Sequence, residues 1–243
     1  MIATTAIVLA AVGLTHASPV HASSEARASV EYKTYRGDGT VDQGWPAVSD
    51  WADFDTIWSA NSATSAGACK WLGLDPNSDA ENDAVRAAVK QAGSDSGLDP
   101  RFILAAVFQE SAGCVRVKTS YSPNLGIRNP GLLQGPDGEH TCNDPEAGVD
   151  MLNPCPEEQI YGMVTDGVGL TTQDGLKQTV QRSEATDDSK YYKGAVIYNS
   201  GLLPESGDLG DGRSNPCYAS DIANRVMGWV ADSSPCDKDT VGN

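Results

Sequence analysis

Pro100-Arg101-Phe102-Ile103-Leu104-Ala105-Ala106-Val107-Phe108-Gln109-Glu110-Ser111 is the stretch on which the reading of this chain turns. Asp99 just ahead of it suits an N-cap and Pro100 suits the first helical position, so the pattern predicts a helix over 100–111. The helix is apolar on nearly every side, and such a helix belongs at the centre of a domain. It carries one acid. Ile103, Ala106, Val107 and Glu110 stand at i, i+3, i+4 and i+7, which puts the carboxylate on the same side as apolar residues. The last turn of a helix also disfavours negative charge. Both circumstances push a carboxyl group toward holding its proton at mildly acidic pH, the state a general acid for glycoside cleavage needs. A plainer expectation stands beside this one: a solvated helix end, with Glu110 paired to Arg116 or another surface cation.

Outward from this helix the pattern stays helical. Toward the N-terminus, a helix is expected over 79–93, with Ala84, Val85, Ala88 and Val89 on one side and a break at Gly97-Leu98. Trp51, Phe54, Asp55 and Trp58 follow helical spacing behind a cap at Ser49 or Asp50, and these aromatics are assigned to packing rather than to sugar stacking. Toward the C-terminus, residues 115–156 are rich in Gly, Pro, Asn and Ser and carry Cys142 and Cys155, which describes an irregular segment held by disulfides. Helical patterns return over 157–164, 174–181, 189–198 and 219–230. The fold class is therefore mainly α, with a buried central helix, an irregular disulfide-held insertion and little β.

Length and composition set the boundaries. The 243 residues suit one domain. An apolar run over 2–14 is followed by small residues ending at Ala17 or Ala22, so 1–22 reads as a signal peptide, 23–44 as an extended or flexible lead-in and 45–243 as the domain. Six cysteines, Cys69, Cys114, Cys142, Cys155, Cys217 and Cys236, in a chain expected to be secreted to the extracellular space, suggest three disulfides of unreadable connectivity. There is no Cys-x-x-Cys pair and His140 is nearly alone among histidines of the mature chain, so no metal and no cofactor is expected. A formal charge of -16, from 17 Lys plus Arg against 33 Asp plus Glu, disfavours nucleic acid and anionic membranes as partners. The same charge favours a neutral polysaccharide, or an acidic working pH, over an anionic wall polymer. A monomer is expected.

Three ordered segments carry a resemblance. Gln109-Glu110-Ser111 at the end of an apolar helix, Gly131-Leu132-Leu133-Gln134 after a loop, and Ala195-Val196-Ile197-Tyr198-Asn199 on a later helix resemble the Glu-Ser, Gly-Leu-Met-Gln and Ala-Tyr-Asn motifs of the lytic transglycosylase SLT domain, to which goose-type lysozymes are related. The resemblance spans roughly residues 80 to 230, and extends to secreted lysozyme-like proteins of fungi with extra cysteines. It implies a lysozyme-like fold that cuts β-1,4-linked, N-acetylglucosamine-containing polysaccharide, peptidoglycan or chitin. Glu110 would then be acid and later base. Ser111 would orient its carboxyl group or touch an acetamido sugar, Gln134 and the backbone near Gly131 would line the cleft, Tyr198 would hydrogen-bond near Glu110, and Asn199 would support the cleft. Leu133 in place of Met is a near-isosteric departure. Ile197 ahead of Tyr198 is a larger one, and leaves Tyr198 open to being a packed aromatic.

The remaining acids bear on mechanism. Inverting hydrolases carry a second carboxylate about 6.5 to 9.5 Å from the acid, and retaining ones about 5 to 5.5 Å. No Asp or Glu lies between Ser111 and Gln134. Asp137 is the nearest candidate after the second motif, although Asp137, Glu139, Asp144, Glu146 and Asp150 read more simply as a solvated acidic loop. Without a second carboxylate the acetamido oxygen or C6 hydroxyl of the substrate would serve, the latter leaving an anhydro end. The Asp208-Leu209-Gly210-Asp211-Gly212 stretch reads as a turn rather than a calcium loop. Two other readings stay open: a hydrolase of another β-1,4-glycan such as chitosan, and a secreted glycan-binding protein without turnover.

Overall fold

A computed structural model describes residues 30–122, 125–230 and 233–242, with the side chains of 62–66 outside the description. The expected signal peptide lies outside the described residues. Among them are seven α-helices, α1 (Phe54–Ala66), α2 (Asp79–Ser96), α3 (Pro100–Ser111), α4 (Glu157–Val168), α5 (Leu176–Arg182), α6 (Ser189–Ser200) and α7 (Tyr218–Val226), and one antiparallel pair of two-residue strands, β1 (Ser120–Tyr121) and β2 (Arg128–Asn129). The protein is mainly α.

The central helix begins where the sequence says. The Asp99 carboxylate accepts from the Arg101 amide at 2.9 Å, and Pro100 occupies the first turn, where no amide hydrogen is needed. Phe102 through Phe108 are all buried. Helices α1, α2 and α7 pack on α3, α4 packs on α2, and α5 and α6 form a pair joined to α7. Termination comes from Ala112, which turns left-handed (φ 53°), and from Ser111, whose hydroxyl donates to the Val107 carbonyl at 2.9 Å and accepts from the Gly113 amide at 3.2 Å.

Helix α2 opens with a capping box, in which the Glu81 amide reaches Ser78 Oγ and Glu81 Oε2 accepts from the Ser78 amide at 2.7 Å. The other oxygen of Glu81 holds the irregular segment. It accepts from Arg116, whose side chain is fully buried, and from the Cys155 amide at 2.7 Å. Disulfides Cys69–Cys114 and Cys142–Cys155 tie the same segment, and Cys217–Cys236 ties the start of α7 to the C-terminal residues.

Two expectations shift. Helix α1 begins at Phe54 rather than near Ser49, because Asp53 is its cap, accepting from the Thr56 amide at 2.8 Å. Trp51 lies before the helix, yet is packed as expected: it is buried, and its indole donates to Tyr192 Oη at 2.8 Å. The segment read as a flexible lead-in (23–44) is bound to the domain from Tyr32 onward, with 23–29 outside the described residues. Lys33 exchanges two backbone hydrogen bonds with the Asn224 side chain at 2.9 and 2.7 Å, and Tyr35 is buried against Trp45, with ring centroids 5.3 Å apart. It lacks periodicity because it pairs with side chains of α7 instead of forming an element of its own. Residues 208–212 form a short 3-10 turn capped by Asp208, as a turn reading requires.

Candidate functional site

A cleft of about 470 Å³ opens where the last turn of α3 meets the β1–β2 hairpin and the end of α6. Glu110 lies in its wall with Gln134, Tyr198 and Asn199. Ser120, Tyr121, Ser122 and Asn129 contribute the hairpin side, and Asp174 and Arg182 stand at the two ends of the α5 segment. The walls are rich in hydroxyl and amide groups, suited to a ligand that offers many hydroxyls.

The sequence put Glu110 on the apolar side of α3, with a solvated helix end as the rival expectation, and its side chain is partly accessible. The poorly hydrated carboxyl group is pushed up to about 7 by burial. One interaction opposes that shift: the Tyr218 hydroxyl donates to Glu110 Oε1 at 2.5 Å. Glu110 is not a solvated acid paired with Arg116. That guanidinium is committed to Glu81 and to the carbonyls of Asp75 and Pro76, at 3.1 and 2.8 Å. A carboxyl group with a pKa near 7 keeps its proton through the acidic range and gives it up at neutrality, so it can serve as acid and then as base.

Tyr218 itself was missed. It is one of eight tyrosines, its helix was expected to start one residue later, and its partner is 108 residues away. Tyr218 is buried behind Glu110, and its phenol is held well above the ordinary range by burial first and by the nearby carboxylate second. It therefore keeps its proton, and acts as a donor, across the neutral range.

The residues of the three motifs divide into those that face the cleft and those that build it. Tyr198 lines the cleft, but its hydroxyl donates to the Leu133 carbonyl at 2.7 Å, not to Glu110. The role expected for Tyr198 falls to Tyr218, and Tyr198 pins the Gly131–Gln134 turn instead. Gln134 lines the cleft in a left-handed conformation (φ 47°), with its amide donating to the Gly131 carbonyl at 3.0 Å. Gly131 does not line it. Gly131 is buried, and a Cβ there would come within 2.6 Å of Met163, so this glycine serves close packing on α4. Ser111 is also buried and its hydroxyl is spent on closing α3, so it neither orients the acid nor reaches a ligand. Asn199 lines the cleft and accepts from the Asn215 amide at 2.9 Å.

Asp137, the candidate second carboxylate, is exposed and lies outside the cleft wall, its amide donating to the carbonyl of Arg128 in β2 at 2.8 Å. Of the other acids in that loop, Asp144 is not solvated: it is buried and bound by Arg128 Nε at 2.5 Å. The acid that does line the cleft is Asp174, ion-paired to Arg182 at 2.8 Å. Among the described residues, no group of three or more His, Cys, Asp or Glu is gathered where it could hold a metal ion, and no helix is long and apolar enough to cross a membrane. Comparison with family models, with curated proteins and with solved structures returns no match to this chain.

Proposed function

We propose that this is a secreted glycoside-cleaving enzyme of the lysozyme and lytic transglycosylase kind, acting outside the cell as a monomer on a β-1,4-linked polymer that contains N-acetylglucosamine. The observation that carries the reading is Glu110: a carboxyl group raised to about 7, set in the wall of a hydroxyl-rich cleft and held from behind by a tyrosine. Its position at the end of a buried helix, followed by a Gly-Leu-Leu-Gln turn and a Tyr-Asn pair that build the same cleft, supports the lysozyme-like resemblance.

In this mechanism the protonated Glu110 gives its proton to the glycosidic oxygen as the bond to the anomeric carbon breaks. Tyr218 donates to Glu110 Oε1 and so steadies the carboxylate that results. Gln134, Asn129 and the hairpin serines offer amide and hydroxyl partners to the sugar rings. Peptidoglycan and chitin both meet this description, and the charge of -16 favours the less anionic polymer, with chitosan as the cationic extreme.

The deciding experiment incubates wild type and Glu110→Gln with peptidoglycan, chitin and chitosan, and analyses released fragments by mass spectrometry. Wild type is expected to release fragments from at least one polymer, with the variant slower by about 10² to 10⁴-fold. Equal binding of sugar by both proteins, with no product from either, would establish a glycan-binding protein instead. Because the acid must be protonated, the rate is expected to fall as pH rises through about 7.

A further inference from the structure

We propose that Asp174 is the second carboxylate of the site, the base that takes a proton from the attacking water, so that bond cleavage is hydrolysis with inversion. This rests on the glycan-cleaving reading above and decides between its two outcomes, a new reducing end or an anhydro end. Among the described residues that line the cleft, Glu110 and Asp174 are the only carboxylates. They belong to different elements, and no hydrogen bond joins them, unlike a pair that shares one proton. Both line the same cleft as Tyr198, whose hydroxyl pKa is raised by burial first and by these two carboxylates after it.

Asp174 is also held as a base should be held. Oδ1 faces Arg182 at 2.8 Å and is closed off from solvent, while about half of the side chain is exposed, so the accessible carboxylate oxygen is Oδ2. Its backbone is fixed by the next residue: a Cβ on Gly175 would come within 2.3 Å of the Gly169 amide nitrogen, and Gln178 bridges Gly175 and Gly169 with bonds of 3.0 and 2.9 Å. The start of α5 and the end of α4 therefore form one rigid junction that carries Asp174.

The step balances with water alone. The water oxygen bonds to the anomeric carbon as the bond to the leaving oxygen breaks, the leaving oxygen keeps the electron pair and takes the proton of Glu110, and a water proton passes to Asp174. One water is consumed, two chain ends form, and Asp174 returns its proton to solvent as Glu110 regains one.

The test uses whichever polymer the wild-type protein cuts. Asp174→Asn is expected to lower kcat by about 10² to 10⁴-fold. Sodium azide, a nucleophile that needs no base, is expected to restore turnover and to leave a glycosyl azide of inverted configuration by NMR. Asp137→Asn, which neutralises an exposed carboxylate outside the cleft wall, is expected to match wild type. Anhydro products, a product of retained configuration, an Asp174→Asn variant as fast as wild type, or one that is dead and not rescued by azide would each overturn the assignment while leaving the glycan-cleaving reading intact. A wild-type protein that cuts none of the polymers brings down both, and is recognised by its own silence.

Discussion

At the scale of single residues, the site turns on the opposition between burial and one hydrogen bond at Glu110. Burial raises the carboxyl pKa and the Tyr218 hydroxyl lowers it. Tyr218→Phe removes the bond that favours the charged form, so the pKa of Glu110 is expected to move further up, carrying the alkaline limb of the pH–rate profile with it. Carbon-13 NMR titration of the labelled glutamate checks the shift directly, and an unchanged titration would deny Tyr218 its role. Glu110 was legible in the sequence because helical periodicity ties residues three and four apart into one face. Tyr218 was not, since nothing local relates residues 110 and 218. Ser111 and Gly131 teach a different lesson: their identity was visible but their direction was not, and both turn inward to close a helix and to admit a neighbouring side chain.

At the scale of elements, the irregular segment that follows α3 is secured by polar groups as much as by its disulfides. Glu81 is the pivot, because it caps α2 and neutralises the fully buried Arg116. Glu81→Ala strands that guanidinium, and is expected to cost about 3–5 kcal/mol in urea unfolding. A cost under about 1 kcal/mol would mean that water reaches Arg116. On the other side of the cleft, α6 pins the Gly131–Gln134 turn through Tyr198. Tyr198→Phe leaves the buried Leu133 carbonyl without its partner, at about 1–3 kcal/mol, and is expected to disturb the Glu110 titration less than Tyr218→Phe does. Paired titration and unfolding curves for the two variants separate the pin from the positioning group. The helices were readable because each carries a period of its own, and α3 also carries its cap and proline. The β1–β2 hairpin was not, because two strands of two residues are too short to show alternation. It supplies a wall of the cleft nonetheless.

At the scale of the whole molecule, the raised pKa of Glu110 links stability to pH. The folded value is about 7 against an ordinary 4.5, so the folded chain binds this proton more tightly than the unfolded chain. The stabilisation is complete below about 4.5 and is lost as pH rises through about 7, a difference on the order of 3 kcal/mol. Glu110→Gln is expected to match wild type in denaturant unfolding near pH 4 and to exceed it near pH 8. Equal stabilities at both pH values would mean that the carboxyl group is hydrated in the folded state. The segment 30–44 belongs to this scale as well, since its bonds to α7 were invisible until both partners had been folded.

The backbone behind Gln134 and Tyr198 is assembled almost without clearance. A Cβ at Gly167 would fall 2.3 Å from that of Leu133, and one at Gly135 would fall 2.8 Å from the Gly167 backbone and 3.2 Å from the Tyr198 hydroxyl. The hairpin that lines the cleft carries the exposed side chains of Tyr121 and Leu125. Natural variation and laboratory selection therefore meet unequal constraints on the two sides. Changes in what the cleft admits are expected to come from rewriting the hairpin, while the packed glycines are inherited unchanged.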